Sequence, residues 1–357
     1  LTSYTVPVVT VTFNTAQRLL VVLPGETYKP GRWQQTPAGK EGTPNTFTAG
    51  SQFTLTVYGV DNWYNKTSTN TSCFVETTDP YDVHPDTSNI VNGQVSFNHT
   101  FVSATDSLNW NTPWSLTART PASSMSNYTQ SGISVAPNNH SSDPENRRLI
   151  ATLPGETFKP GKYNLTPYGR DGQPSTRTAG VEFTATVYAT DNWWNRNLVF
   201  NPTVDMTTTD PNDSHPSARQ LTAGATTFNL TFITRNDTGW MVSASASGFT
   251  AFTSAPVPVN PNSSSKLVVL LPGQSEEWGT STGRSGTPSN QTAGTPFTIT
   301  VKSCDAYFNY QPNDVSSVSV ETSDLYDTHP STRALISGVT YFVMTPVTAS
   351  TQTVKAT

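Results

Sequence analysis

Apolar and polar residues alternate in short runs, and the runs recur three times. Phe53, Leu55 and Val57 are spaced by two, as are Phe183, Ala185 and Val187, and Phe297, Ile299 and Val301. A period of two places one face of a strand in a core and the other in water. No apolar stretch of useful length has the helical period, so the pattern predicts an all-β chain.

Landmarks around these strands repeat as well. Each unit opens with an apolar run into Leu23-Pro24-Gly25, Leu153-Pro154-Gly155 or Leu271-Pro272-Gly273, then a polar stretch ending in Thr48-Ala49-Gly50, Thr178-Ala179-Gly180 or Thr292-Ala293-Gly294. After the alternating strand come Asp61-Asn62-Trp63-Tyr64-Asn65, Asp191-Asn192-Trp193-Trp194-Asn195 and Asp305-Ala306-Tyr307-Phe308-Asn309. A further strand leads into Thr78-Asp79-Pro80, Thr209-Asp210-Pro211 or Ser323-Asp324-Leu325, and a hairpin turns at Asn92-Gly93, Ala223-Gly224 or Ser337-Gly338. Strand A runs to Leu23, B is the alternating strand from Phe53, C leads into Thr78 and is followed by a short D, E carries Val95 and Phe97, F carries Trp114 and Leu116, and G lies near Val135. Seven short strands separated by turns suit an immunoglobulin-like sandwich. The expected organisation is three tandem immunoglobulin-like β-sandwiches at 18–140, 147–262 and 266–357, preceded by a strand and linker at 1–17.

That first strand is the unusual feature. Val6, Val8, Val9, Val11 and Phe13 repeat the closing-strand text around Val135 and Val257, ahead of a sandwich that already has its own closing strand. The third repeat ends at Gln352-Thr353-Val354-Lys355-Ala356-Thr357 with no such strand. An N-terminal donor strand completing the third sandwich of another copy is the resulting expectation. Such a head-to-tail contact does not close and grows a filament.

The Asp-aromatic-Asn segment after strand B, the Thr/Ser-Asp-Pro-type turn after strand C and the terminal Gln-Thr-Val-Lys-Ala strand resemble the bacterial immunoglobulin-like repeats of large surface and adhesin-type proteins, invasin-like repeats included. The resemblance covers essentially the whole chain and implies an extracellular or cell-surface location. It is specific for the repeat class and weak for function, because such repeats serve as stalks, adhesins and surface-layer parts. The chain departs from the common pattern in its bulky aromatics, where the family often has a Tyr-Gly pair.

Composition narrows the partners. Charged residues make up 13% of the 357 positions and the formal charge is −5, with basic residues scattered, which argues against nucleic acid. No run approaches the roughly 20 apolar residues of a membrane span. The chain opens at Leu1 without a leader, as a processed or fragmentary extracellular protein would. Cys73 and Cys304 occupy non-equivalent positions and are expected as two separate packed thiols. Sequons at Asn65, Asn70, Asn98, Asn127, Asn139, Asn164, Asn212, Asn229, Asn236, Asn262 and Asn290 offer N-glycosylation sites of a surface glycoprotein.

The polar motifs admit two chemistries. Turns after strands B and C lie at opposite ends of a sandwich, so in a tandem chain Asp79, Asp82 and His84 face Asp191 and Asn195, and Asp210, Asp213 and His215 face Asp305 and Asn309. Such oxygens suit Ca²⁺; the rival is plain Asx-turn chemistry, which the Asp-Pro pairs favour. One His per repeat does not make a zinc site. A His-Pro corner present in every unit is structural, whereas a catalytic triad occurs once, so no enzyme is expected. The aromatic pairs pack on the preceding domain or stack on surface glycans. These readings converge on a structural subunit of an extracellular filament, sheath or surface layer that binds copies of itself. The alternatives are a fragment of a long adhesin stalk and a carbohydrate-binding surface protein.

Overall fold

A computed structural model describes residues 1–82, 85–106, 109, 111–121, 124–214 and 216–357. The architecture is all-β, with one short 3-10 turn at Pro144–Asn146 as the only helical element among the described residues. The chain forms two compact units, one of 1–148, 158–171 and 189–200, the other of 149–157, 172–188 and 201–357.

In the first unit, Phe53–Val60 lies between Arg18–Val22 and Gln94–His99 in an antiparallel sheet. A second sheet has the order Tyr128–Ile133, Trp114–Arg119, Ser72–Thr77, Ser88–Asn89. Leu19, Val21, Leu55 and Val57 of one sheet and Cys73, Val75, Leu116 and Ala118 of the other form a single buried core. This is the sandwich that alternation demands, because each sheet has one apolar face to hide. Val135–Ala136 then leaves the second sheet and runs parallel to Phe47–Thr48.

The second unit repeats these pairings. Phe183–Thr190 pairs with Ala225–Leu230, and Thr203–Thr208 with Val242–Ser245. Val257–Asn260 runs parallel to Arg177–Thr178 and antiparallel to Asn236–Trp240. Further along, Phe297–Cys304 lies between Lys266–Leu270 and Val339–Met344, and Val320–Thr322 pairs with Val354–Ala356. Among the described residues no strand runs beside Gln291 and Thr292, the counterparts of Phe47–Thr48 and Arg177–Thr178.

The hairpins turn at the expected pairs, with positive φ at Asn92 and Gly93, Ala223 and Gly224, and Ser337 and Gly338. Equivalence of the three phenylalanines is only partial. Phe183 is buried, while Phe53 and Phe297 are half-buried. Phe53 rests on the Phe47 ring at 4.1 Å, whereas Gln291 stands in the Phe47 position of the third repeat and Phe297 lines an open groove. Both cysteines are free and buried, and burial pushes each thiol up to about 12.

Candidate functional site

Each Asp-aromatic-Asn segment is a tight loop organised by its aspartate. Asp191 Oδ1 accepts the Trp193 and Asn195 N–H groups at 2.9 Å each, and Asp191 N–H donates to Asn195 O at 2.9 Å. Asp61 and Asp305 make the same set. The second aromatic of each pair takes positive φ, at Tyr64, Trp194 and Phe308. It faces a cation at the start of strand A: Arg18 over Tyr64 at 5.2 Å, Arg148 over Trp194 at 5.3 Å, Lys266 over Phe308 at 4.3 Å.

Within the first unit this loop meets the loop 101–104. Asn195 Oδ1 accepts from Ala104 N–H at 2.9 Å and Asn195 Nδ2 donates to Val102 O at 2.8 Å. Asp79 holds the other side of the same loop, accepting the Val102 and Ser103 N–H groups at 2.9 Å each and the Ser103 hydroxyl at 2.6 Å. Asn138, just beyond the closing strand, donates its N–H to Asp191 Oδ2 at 2.9 Å. The Trp193 ring covers Gly50 so closely that a Cβ there would lie 2.0 Å from it. His140 stacks on the Trp193 ring, with centroids 5.6 Å apart.

The second unit contains the same arrangement. Asn309 Oδ1 accepts from Arg235 N–H at 2.8 Å and its Nδ2 donates to Ile233 O at 2.7 Å, while Asp210 accepts the Ile233 and Thr234 N–H groups. Asn262 N–H donates to Asp305 Oδ2 at 2.9 Å, and Tyr307 covers Gly180. Asp191, Asn195, Asp305 and Asn309 are fully buried. Burial pushes the Asp191 carboxyl up to about 6 against the pull of its N–H donors.

The acids therefore do not gather around a common cation. Asp79 and Asp210 flank the loops that Asn195 and Asn309 clamp, and N–H and hydroxyl donors occupy their oxygens. Asp82 lies against the Thr77 hydroxyl and 3.1 Å from His99 Nε2, and Asp213 accepts the Thr208 hydroxyl. Among the described residues no group of three His, Cys, Asp or Glu side chains could hold a metal ion. Donors that already fill the carboxylate lone pairs do not fit Ca²⁺, which needs six to eight free oxygens. His84 and His215 lie outside the described residues.

Of the sequon asparagines, Asn70, Asn98, Asn127, Asn139, Asn164, Asn229 and Asn290 are exposed, while Asn65, Asn212, Asn236 and Asn262 are half-buried. The Nδ2 atoms of Asn212, Asn236 and Asn262 donate to Thr234 Oγ1, Gly239 O and Ala179 O. Val6, Val8, Val9, Val11 and Phe13 are all exposed and lie in no strand.

A groove of about 690 Å³ opens in the third repeat, lined by Gln291, Thr292, Phe297, Gln352 and Val354 among others. Ala49 and Ala179 are fully buried beside their parallel strands, whereas Ala293 is exposed. Sequence reasoning missed Asn14 and Asn138, the contacts of Asn262 with Asp305 and Ala179, the loop 101–104 and its counterparts, and the role of the Thr-Ala-Gly glycine. The repeated Thr-Ala-Gly was a visible signal.

No known protein family and no curated protein matches the sequence. Among solved structures, the chain is similar to Escherichia coli alpha-2-macroglobulin activated by porcine elastase, at 11% identity and TM-score 0.31 over 84% of this chain and 28% of that one. It is similar to invasin, a bacterial integrin-binding protein, at 11% identity and TM-score 0.27 over 95% of this chain and 56% of that one. Domains 4–9 of the surface layer protein SbsC match at 13% identity and TM-score 0.23 over 95% of this chain and 45% of theirs. The chain thus spans between about a quarter and just over half of these structures.

Proposed function

We propose that the chain is a non-catalytic structural subunit of an extracellular filament, sheath or surface layer, and that its copies join by strand addition. Segment 5–13 of one copy fills the groove in the third repeat of the next. The observation that carries this reading is a repeated pairing with one vacancy. Val135 and Val259 are buried beside Phe47 and Arg177 in parallel register, whereas Gln291 and Thr292 border an open groove. The same chain carries a segment of matching pattern with Val9 at 77% and Val11 at 88% exposure. Burying two valines stabilises by about 3–6 kcal/mol before ordering costs, and the backbone ladder supplies direction. An apolar segment left in water and an uncovered sheet edge are otherwise each an aggregation hazard.

Electron microscopy and sedimentation of the intact chain test the proposal. The wild type forms linear oligomers and the Val9→Asp/Val11→Asp variant stays monomeric with unchanged melting. Equal assembly of both would contradict strand addition and favour a stalk fragment or a glycan-binding module.

A further inference from the structure

Both joints use the same four contacts. An aromatic covers a glycine, Trp193 on Gly50 and Tyr307 on Gly180. A glycine meets a hydroxyl residue, Gly161 on Ser103 and Gly279 on Thr234. An asparagine clamps a loop, Asn195 on Val102 and Ala104, Asn309 on Ile233 and Arg235. A second asparagine, Asn138 or Asn262, donates its side chain to Ala49 O or Ala179 O, at 3.5 and 3.2 Å.

Each half of this contact also occurs without its mate. The first repeat carries the loop half: Asn14 N–H donates to Asp61 Oδ2 at 3.0 Å, as Asn138 and Asn262 donate to Asp191 and Asp305. Trp63 is 44% exposed there, and a Cβ on Gly31 would find only Asn65 Oδ1 at 3.9 Å. The third repeat carries the receiving half. Asp324 holds the Val347 and Thr348 N–H groups at 2.7 and 2.8 Å, as Asp79 and Asp210 hold theirs. Val347 is 45% exposed, and a Cβ on Gly294 would meet nothing within 4 Å.

We infer that a second copy supplies the missing mate, so that copies meet end to end through a reproduction of the internal joint. Trp63 of one copy covers Gly294 of the next, and the Asn65 amide clamps Val347 O and Ala349 N. Gly31 packs on Thr348, and the Asn14 side chain reaches Ala293 O. The inference rests on the strand-addition reading and fixes its register. Val135 and Val259 each precede the joint asparagine by three residues, as Val11 precedes Asn14. Val11 therefore lies beside Gln291 and Thr12 beside Thr292. Ile133 and Val257 pair with Trp114 and Trp240, which places Val9 opposite Gln352. Strand addition alone tethers two copies; the joint orients them, because four further contacts must close at once.

Sedimentation velocity of full-length variants tests the joint. Trp63→Ala and Asn65→Ala each weaken association at least about tenfold. Trp63→Tyr retains association, since Tyr307 fills this place at the second joint. A labelled peptide of residues 4–16 is measured in parallel against the intact chain, below the concentration at which it associates. If the peptide binds and both alanine variants associate like the wild type, the joint is wrong and strand addition stands. Failure of the peptide to bind overturns both.

Discussion

Asn195 crosses from its own loop to the backbone of Ala104, its Oδ1 accepting the Ala104 N–H at 2.9 Å while its Nδ2 reaches Val102 O at 2.8 Å. One amide thus satisfies a donor and an acceptor that are both buried, and Asp191 holds the amide in place through 3.0 Å contact with Nδ2. Leaving such groups unpaired costs about 1–3 kcal/mol each.

Asn195→Ala should therefore destabilise the chain by about 2–4 kcal/mol in chemical denaturation. Asn65→Ala removes only contacts to Asp61 within its own loop and should cost under about 1 kcal/mol in the monomer. Equal losses in the two variants would show that the Asn195 clamp is not what stabilises the joint.

Substitutions at Gly50 and Gly132 separate backbone strain from contact. Both have φ of 75°, but a Cβ on Gly50 strikes the Trp193 ring and one on Gly132 meets nothing within 4 Å. Gly132→Ala should cost about 1–2 kcal/mol for the left-handed conformation alone. Gly50→Ala should cost about 1–3 kcal/mol more, from overpacking. Matching melting shifts would rule out close packing of Trp193.

Stability should depend on pH through Asp191. Burial raises its carboxyl to about 6, so the folded chain holds this proton at a pH where the unfolded chain has lost it. Its penalty is absent below about pH 4, grows as pH rises and is complete above about pH 6, worth about 3 kcal/mol. Comparing wild type with Asp191→Asn removes the contribution of His140, whose imidazole burial holds below its usual value. The difference in unfolding free energy should change across pH 4–6, and a constant difference would show that Asp191 is ionised throughout.

Chelation should leave the joints intact. Since N–H and hydroxyl groups fill the oxygens of Asp79, Asp191, Asp210 and Asp305, melting and protease sensitivity should be the same in EDTA and in millimolar Ca²⁺. A melting rise with Ca²⁺ that is lost in Asp79→Asn would restore a metal role for this acid.

The strands were legible because alternation at Phe53, Leu55 and Val57 is a direct record of one wet and one buried face. Turns announced themselves through Asn92-Gly93 and its counterparts, whose backbone conformation few residue types accept. The joint was legible only on one side. Asp191 and Asn195 stand out as repeated letters, but their partners are main-chain atoms of Val102 and Ala104, which any residue supplies. Hence Ile233 and Arg235 perform the same task with different side chains, and the sequence suggested acid facing acid across a cation. The exposed Val8 and Val11 were legible as a strand without a place in their own sandwich, and the groove beside Gln291 required coordinates.

Cross-linking between copies tests strand addition most directly. Chains carrying Val11→Cys are mixed with chains carrying Gln291→Cys and oxidised, with Cys73 and Cys304 protected by burial. Partner positions of a parallel pair such as Val135 and Phe47 lie within disulfide reach. The account predicts a mixed disulfide of twice the chain mass, absent when Val8→Cys replaces Val11→Cys. No cross-link for Val11→Cys, or one formed within a single chain carrying both cysteines at high dilution, would contradict it.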